Sequence, residues 1–150
     1  MKVLLAVDGS PYSDEAIRRV AERPWSPGTI VRVLSVAERV GAPPVGELMY
    51  GVAETAGELQ QEIKAEANDI TGRAASILAA RGIAAEETVR EGDPRMEIVK
   101  EAGEWDADLI VVGSHGYTGL KRLVLGSVAQ SIVSHAPCSV EVVRAKADKR

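Results

Sequence analysis

The chain is 150 residues long, carries a formal net charge of −4 and holds one cysteine, Cys138. The acidic balance argues against a general nucleic-acid binder, which needs a basic face. The lone cysteine excludes an intramolecular disulfide and a cysteine zinc cluster, and suits a reducing compartment. One domain spanning residues 1–150 is expected, long enough to bury a core without staples.

Val3 to Val7 is a short, continuous apolar run, typical of a strand buried on both faces. Asp8 ends it too soon for the apolar region of a leader peptide. No segment approaches the roughly 18 apolar residues of a membrane span. A cytoplasmic protein without membrane contact is therefore expected. Ser10 and Pro11 read as the cap and first residue of a helix whose inner face carries Ala16, Ile17, Val20 and Ala21. Pro24, Pro27 and Gly28 close it, and Ile30 to Val36 is the second strand.

Residues 37–53 hold Gly41, Pro43, Pro44, Gly46 and Gly51 and read as a long loop. A long amphipathic helix follows from Glu54 to Arg81, with Gly82 as its C-terminal stop. At 1.5 Å per residue it is about 42 Å long, against about 17–20 Å for a typical strand. It must overhang the sheet, and residues 37–60 are expected to rise over the ligand edge as a flap. Ile83 to Arg90 is a third strand, with the mixed alternation of an edge. Asp93-Pro94 caps a third helix packed through Met96, Ile98, Val99 and Ala102. Leu109 to Val112 is the fourth strand. Val128 to Ser134 has helical spacing, Pro137 breaks the chain, and Val140, Val142 and Val143 belong to a fifth strand. Residues 144–150 are charged and expected to fray.

Strands alternating with helices predict an α/β fold: an open five-stranded parallel sheet with helices on both faces. Ligands of such sheets sit at the carboxyl ends of the strands, where the strand order reverses. Strands one and four flank that point. Asp8 ends one and Gly113 the other.

After the fourth strand comes GSHGYTGLKRLVLGS, Gly113 to Ser127. A glycine-rich strand end that enters a helix can bare main-chain amides toward an anion, and the helix N-terminus adds a positive dipole end. It reads as a phosphate cradle; the alternative is an ordinary loop that happens to hold glycines. Ser127 offers a hydroxyl and an amide to phosphate, or caps the fourth helix. Asp8 faces sugar hydroxyls, a base or Mg²⁺, or caps a helix. His115 is a structural or binding residue rather than a general base, since no second acid or base is placed beside it. Lys121 and Arg122 neutralise phosphate or are simply solvated. Cys138 reads as a small buried hydrophobe, and Trp25 and Trp105 as boundary packing residues.

These residues resemble the universal stress protein family, in particular its nucleotide-binding branch. That branch has Gly, two residues, Gly, nine residues, Gly, then Ser or Thr. Gly113, Gly116, Gly126 and Ser127 meet the spacing. Similar also are Val7 to Ser10, Gly92-Asp93-Pro94, Asp108 to Gly116 and Ala136-Pro137-Cys138. The resemblance implies a Rossmann-like sheet of strand order 3-2-1-4-5 and a homodimer joined through the last strand, Ser139 to Val143. It implies ATP, with Mg²⁺, as the ligand. Ala6, Val7 and Asp8 would lie near base and sugar, and Val36 beside adenine. Gly113, Ser114, His115, Gly116, Tyr117, Thr118 and Gly119 would line ribose and phosphates. Gly126, Ser127, Val128 and Ala129 would hold the terminal phosphates. Ala129 lacks a hydroxyl that relatives often have there, and Glu141 would face its own copy across the dimer.

No Walker GxxxxGK[ST] motif is present. The expectation is an ATP-binding stress-response or signalling protein with at most slow hydrolysis. The alternatives are an adenylyl or phosphoryl transferase using the same crevice, and a dimeric interaction module that binds no nucleotide.

Overall fold

The computed structural model describes residues 1–41, 52–116 and 124–145. The elements are β1 Lys2–Ala6, α1 Pro11–Glu22, β2 Ile30–Ala37, α2 Val52–Ala79, β3 Ala84–Glu91, α3 Pro94–Glu104, β4 Leu109–Gly113, α4 Ser127–His135 and β5 Ser139–Val143. All neighbouring strands pair in parallel, in the order β3-β2-β1-β4-β5. This is the expected doubly wound α/β sheet, with β3 at an edge.

The helix starts follow from their caps. Ser10 accepts a hydrogen bond from the Ser13 amide at 3.2 Å, and Asp93 accepts one from the Arg95 amide at 2.9 Å, each with proline next in the chain. Helix α2 stops where Gly82 takes φ +74°, which lets the Ile83 amide reach back to the Leu78 carbonyl at 3.1 Å.

Alternation along β1 sorts the core into two layers. Val3, Leu5 and Val7 face α1 and α2, together with Val31, Val33, Ile70, Ala74 and Leu78. Leu4 and Ala6 face α3 and α4, together with Leu34, Ile98, Ala102, Ile110 and Ile132. The chain winds outward from β1 to β3 with helices on one face. It then returns to β4 and β5 with helices on the other, as right-handed crossovers require.

On the α3 face, Glu101 is 3% exposed. It accepts from Arg32 at 2.8 Å and pairs with Arg90. Arg32 also pairs with Glu86 at 2.8 Å and lies over the Trp105 ring. Arg90 adds Glu97 at 3.4 Å and Glu104.

Helix α2 spans 28 residues, about 42 Å, and overhangs its sheet. Its overhang is tied down. Gln60 accepts from the Val40 amide at 2.9 Å, and Lys64 pairs with Glu91 at 2.9 Å. Of the expected flap, residues 42–51 lie outside the described residues, as do 146–150 of the expected frayed end.

Candidate functional site

The strand lengths create a notch. Pairing of β1 with β2 ends at Ala6 opposite Leu34, and with β4 at Leu5 opposite Val111. The flanking pairs run on, β2 with β3 to Ala37 opposite Glu91, and β4 with β5 to Gly113 opposite Val143. The short central strand leaves a crevice of about 770 Å³ at the point where the strand order reverses. Ala6, Leu34, Ile98 and Val112 contribute its apolar floor.

Val36 borders the crevice and is half-buried. Main-chain groups two residues apart in a strand point the same way. Leu34 turns its carbonyl toward β1, where the Val7 amide meets it at 2.9 Å. The N–H and C=O of Val36 therefore point past the end of β1 into the notch. Asp8 stands on the opposite lip, exposed, with Oδ1 accepting from the Ser10 amide at 2.9 Å. That bond holds the turn into α1, while the helix cap proper is Ser10.

The described glycines of the 113–127 stretch are Gly113, Gly116 and Gly126. None of Gly113, Gly116 and Gly126 has a positive φ. What they share is close approach. A Cβ on Gly113 would lie 2.9 Å from the Tyr12 main chain, so this glycine seats β4 against α1. A Cβ on Gly126 would lie 3.1 Å from the His115 Cα and the Ser114 carbonyl. A Cβ on Gly116 would lie 2.9 Å from Asp8 Oδ2, so only this glycine of the three clears space on the crevice lip. Two amides are also committed within the protein: Ser114 donates to Val143 and Gly126 to Ser114, both at 2.8 Å. Ser114 is buried and forms no part of the crevice wall.

The open amides are at the start of α4. Gly126, not Ser127, is the N-cap, and it has no side chain to cap with. The first intrahelical bond into this turn runs from the Gln130 amide to the Gly126 carbonyl, at 2.9 Å. The amides of Ser127, Val128 and Ala129 have no carbonyl behind them. All three residues line the crevice, and the Ser127 hydroxyl is exposed without a hydrogen bond among the described residues. Free N–H groups at a positive dipole end form an anion site.

His115 is 9% exposed. Its Nε2 meets the Val124 carbonyl, which can only accept, so Nε2 carries the proton. In the neutral ring Nδ1 then accepts from the Ser114 hydroxyl at 3.0 Å. Tyr12 packs against the ring with centroids 5.0 Å apart. Both nitrogens are engaged, and the ring holds the loop rather than standing ready as a base. Tyr117, Thr118, Gly119, Lys121 and Arg122 lie outside the described residues.

One wall escaped the sequence analysis. Ile63, Glu66, Ala67 and Ile70 bring a stripe of α2 to the crevice, and Glu38 joins them. The 3.6-residue spacing marked Ile63, Ala67 and Ile70 as core; only the excess length of the helix signalled that part of this face overhangs the sheet. Among the described residues no cluster of three His, Cys, Asp or Glu could hold a metal ion, and no helix is long and apolar enough to cross a membrane.

Fold and crevice define a doubly wound α/β protein with its ligand edge at the β1–β4 switch point. The family model of universal stress proteins matches residues 1–144, and the chain belongs to that family. It is 32% identical over 145 residues to universal stress protein YxiE of Bacillus subtilis, covering 95% of this chain and 98% of the relative. Among solved structures, hypothetical protein MJ0577 is similar with a TM-score of 0.84 at 28% identity, covering 98% of this chain and 97% of the other. The universal stress protein from Archaeoglobus fulgidus, solved in complex with dAMP, is similar with a TM-score of 0.66 at 27% identity, covering 95% and 97%.

Proposed function

We propose that the protein binds an adenine nucleotide, ATP with Mg²⁺, in this crevice and acts as a stress-response or signalling module with at most slow hydrolysis. The observation that carries the proposal is the pairing of an apolar cleft with the uncapped amides of Ser127, Val128 and Ala129 at one end. The open main chain of Val36 suits the donor and acceptor edge of adenine. Ala6 and Val7 border the base and sugar, and Asp8 suits ribose hydroxyls or a cation shared with phosphate. Gly113, His115, Gly116 and Gly126 shape the wall between them. Mg²⁺ would arrive with the nucleotide, held mainly by its phosphates. The dAMP complex of the Archaeoglobus relative supports the ligand class.

The engaged nitrogens of His115 weigh against an efficient transferase or ATPase. A homodimer through β5 fits the same proposal. Glu141 would oppose its own copy there, but its carboxylate is held at 2.5 Å by Arg23 and at 3.8 Å by Arg19 of the same chain. That neutralisation removes the repulsion. A cytoplasmic location suits both the nucleotide and a free Cys138.

Calorimetric titration with Mg·ATP tests the proposal. Saturable binding is expected; no heat at millimolar nucleotide removes it.

A further inference from the structure

Six hydroxyl side chains are buried among the described residues, and five are committed within the protein. Ser10 caps α1, Ser13 donates to the Ser10 carbonyl, Thr29 to Ser26, Thr71 to Asn68, and Ser114 to His115. The sixth, Ser35, is 3% exposed, and its hydroxyl has no hydrogen-bond partner among the described residues. No fully enclosed side-chain oxygen or nitrogen among them lacks a partner. The Ser35 hydroxyl therefore opens onto free space, and the space that Ser35 borders is the crevice. A buried hydroxyl left unpaired is costly unless something outside the chain completes it.

Alternation along β2 fixes where this side chain points. Val31 and Val33 face α1 and α2, so Ser35, two residues on, does too. It enters the part of the crevice walled by Ile63, Ala67 and Ile70 of the overhanging α2. The uncapped start of α4 lies on the opposite face of the sheet. The two ends also differ in charge. The α4 end is the positive end of a helix dipole, whereas Glu66 puts a carboxylate on the α2 wall. A nucleotide laid between them turns its phosphates to α4 and its base to α2.

We infer that Ser35 is a specificity-determining residue whose hydroxyl donates a hydrogen bond to the base. The main-chain N–H and C=O of Val36 take the N1 and N6 edge of adenine. The acceptors left on the ring are N3 and N7. Ser35, set among aliphatic side chains that suit a flat ring, supplies a donor to one of them. A buried donor discriminates because a ligand without the matching acceptor leaves it unpaired. This inference rests on the nucleotide proposal above and adds a side chain that reads the base, where that proposal has main chain alone.

The test titrates ATP, 3-deaza-ATP, 7-deaza-ATP and 2′-deoxy-ATP at fixed Mg²⁺ into the wild type and into Ser35→Ala. Ser35→Ala should weaken ATP about three- to ten-fold. In the wild type one deaza analogue should bind more weakly than ATP by a similar factor. In Ser35→Ala that deficit should vanish, because both changes remove the same bond. Without nucleotide the variant should melt as the wild type does, since its hydroxyl has no bond to lose. With ATP its melting temperature should rise less. Unchanged ATP affinity in Ser35→Ala, or deaza deficits that persist in it, overturn the inference. So does a loss that vanishes with 2′-deoxy-ATP, which assigns the hydroxyl to the sugar, or a nucleotide-free variant that melts lower. If the wild type binds ATP and both deaza analogues alike, only this inference fails. If it binds no adenine nucleotide, the underlying proposal fails with it.

Discussion

Helix α3 touches two polar regions about one turn apart, and they are opposites. At Glu101 the helix meets a closed cluster in which Arg32 and Arg90 share one buried carboxylate. At Ile98 and Pro94 it borders the crevice, where the amides of Ser127 to Ala129 and the main chain of Val36 have no partner within the described protein. A polar group satisfied internally contributes to the folded state but has nothing left for a ligand. A polar group left open at a concave, partly apolar edge is what a ligand can complete. Stability and binding in this molecule should therefore respond to different residues.

The largest separation is expected at Glu101. Glu101→Ala removes the buried carboxylate that Arg32 and Arg90 share, leaving them only Glu86, Glu97 and Glu104 nearer the surface, and should cost about 3 kcal/mol, the low end for a broken buried pair, read by urea denaturation. Nucleotide affinity of the folded fraction should be unchanged. The glycines of one loop sharpen the contrast. Gly113→Ala drives a Cβ against the Tyr12 main chain, which cannot swing aside, and should cost about 1–3 kcal/mol. Gly116→Ala meets only the end of the Asp8 side chain, which can rotate. It should leave the melting temperature nearly unchanged and weaken nucleotide binding by displacing that carboxylate. If both variants lose stability equally, the division between seating glycine and lip glycine is wrong.

The smallest effect is in acid. The Asp93, Glu91 and Glu104 carboxyls are held below their ordinary range by hydrogen bonds from Arg95, Lys64 and Arg90 respectively. A carboxylate whose folded value is lowered stabilises the fold above its unfolded value, and that contribution is lost as pH falls through the folded one. Thermal melts should decline modestly below the ordinary carboxylate range, and less so in high salt, because these groups are exposed.

Much of this was legible in the sequence because it is local. Ser10-Pro11 and Asp93-Pro94 announce helix starts through short-range capping, and the runs Val3 to Val7 and Leu109 to Val112 announce buried strands. Asp8 and Gly113 were joined at one crevice by the rule that such sheets bind ligands at strand carboxyl ends where the strand order reverses. What stayed hidden depends on distant parts of the chain. Gly113 is small because Tyr12 lies against it, and Gly126 because Ser114 and His115 do. Nothing in the GSHG run distinguishes a glycine that packs from one that bares an amide. The α2 wall was hidden for a related reason, since Ile63, Ala67 and Ile70 carry the same spacing whether they meet the sheet or a cavity. Glu141 read as an unpaired carboxylate for the same reason, since Arg19 and Arg23, which lie beside it, are far upstream in the chain.

The central claim is that the uncapped turn at Ser127 to Ala129 takes the phosphates. Titration of ¹⁵N-labelled protein with Mg·ATP tests it amide by amide. The account predicts that the Ser127, Val128, Ala129 and Val36 signals shift together and saturate, while Ser114, whose amide is tied to Val143, moves least. Saturable shifts that bypass the first turn of α4, or a spectrum unmoved by millimolar nucleotide, would contradict it.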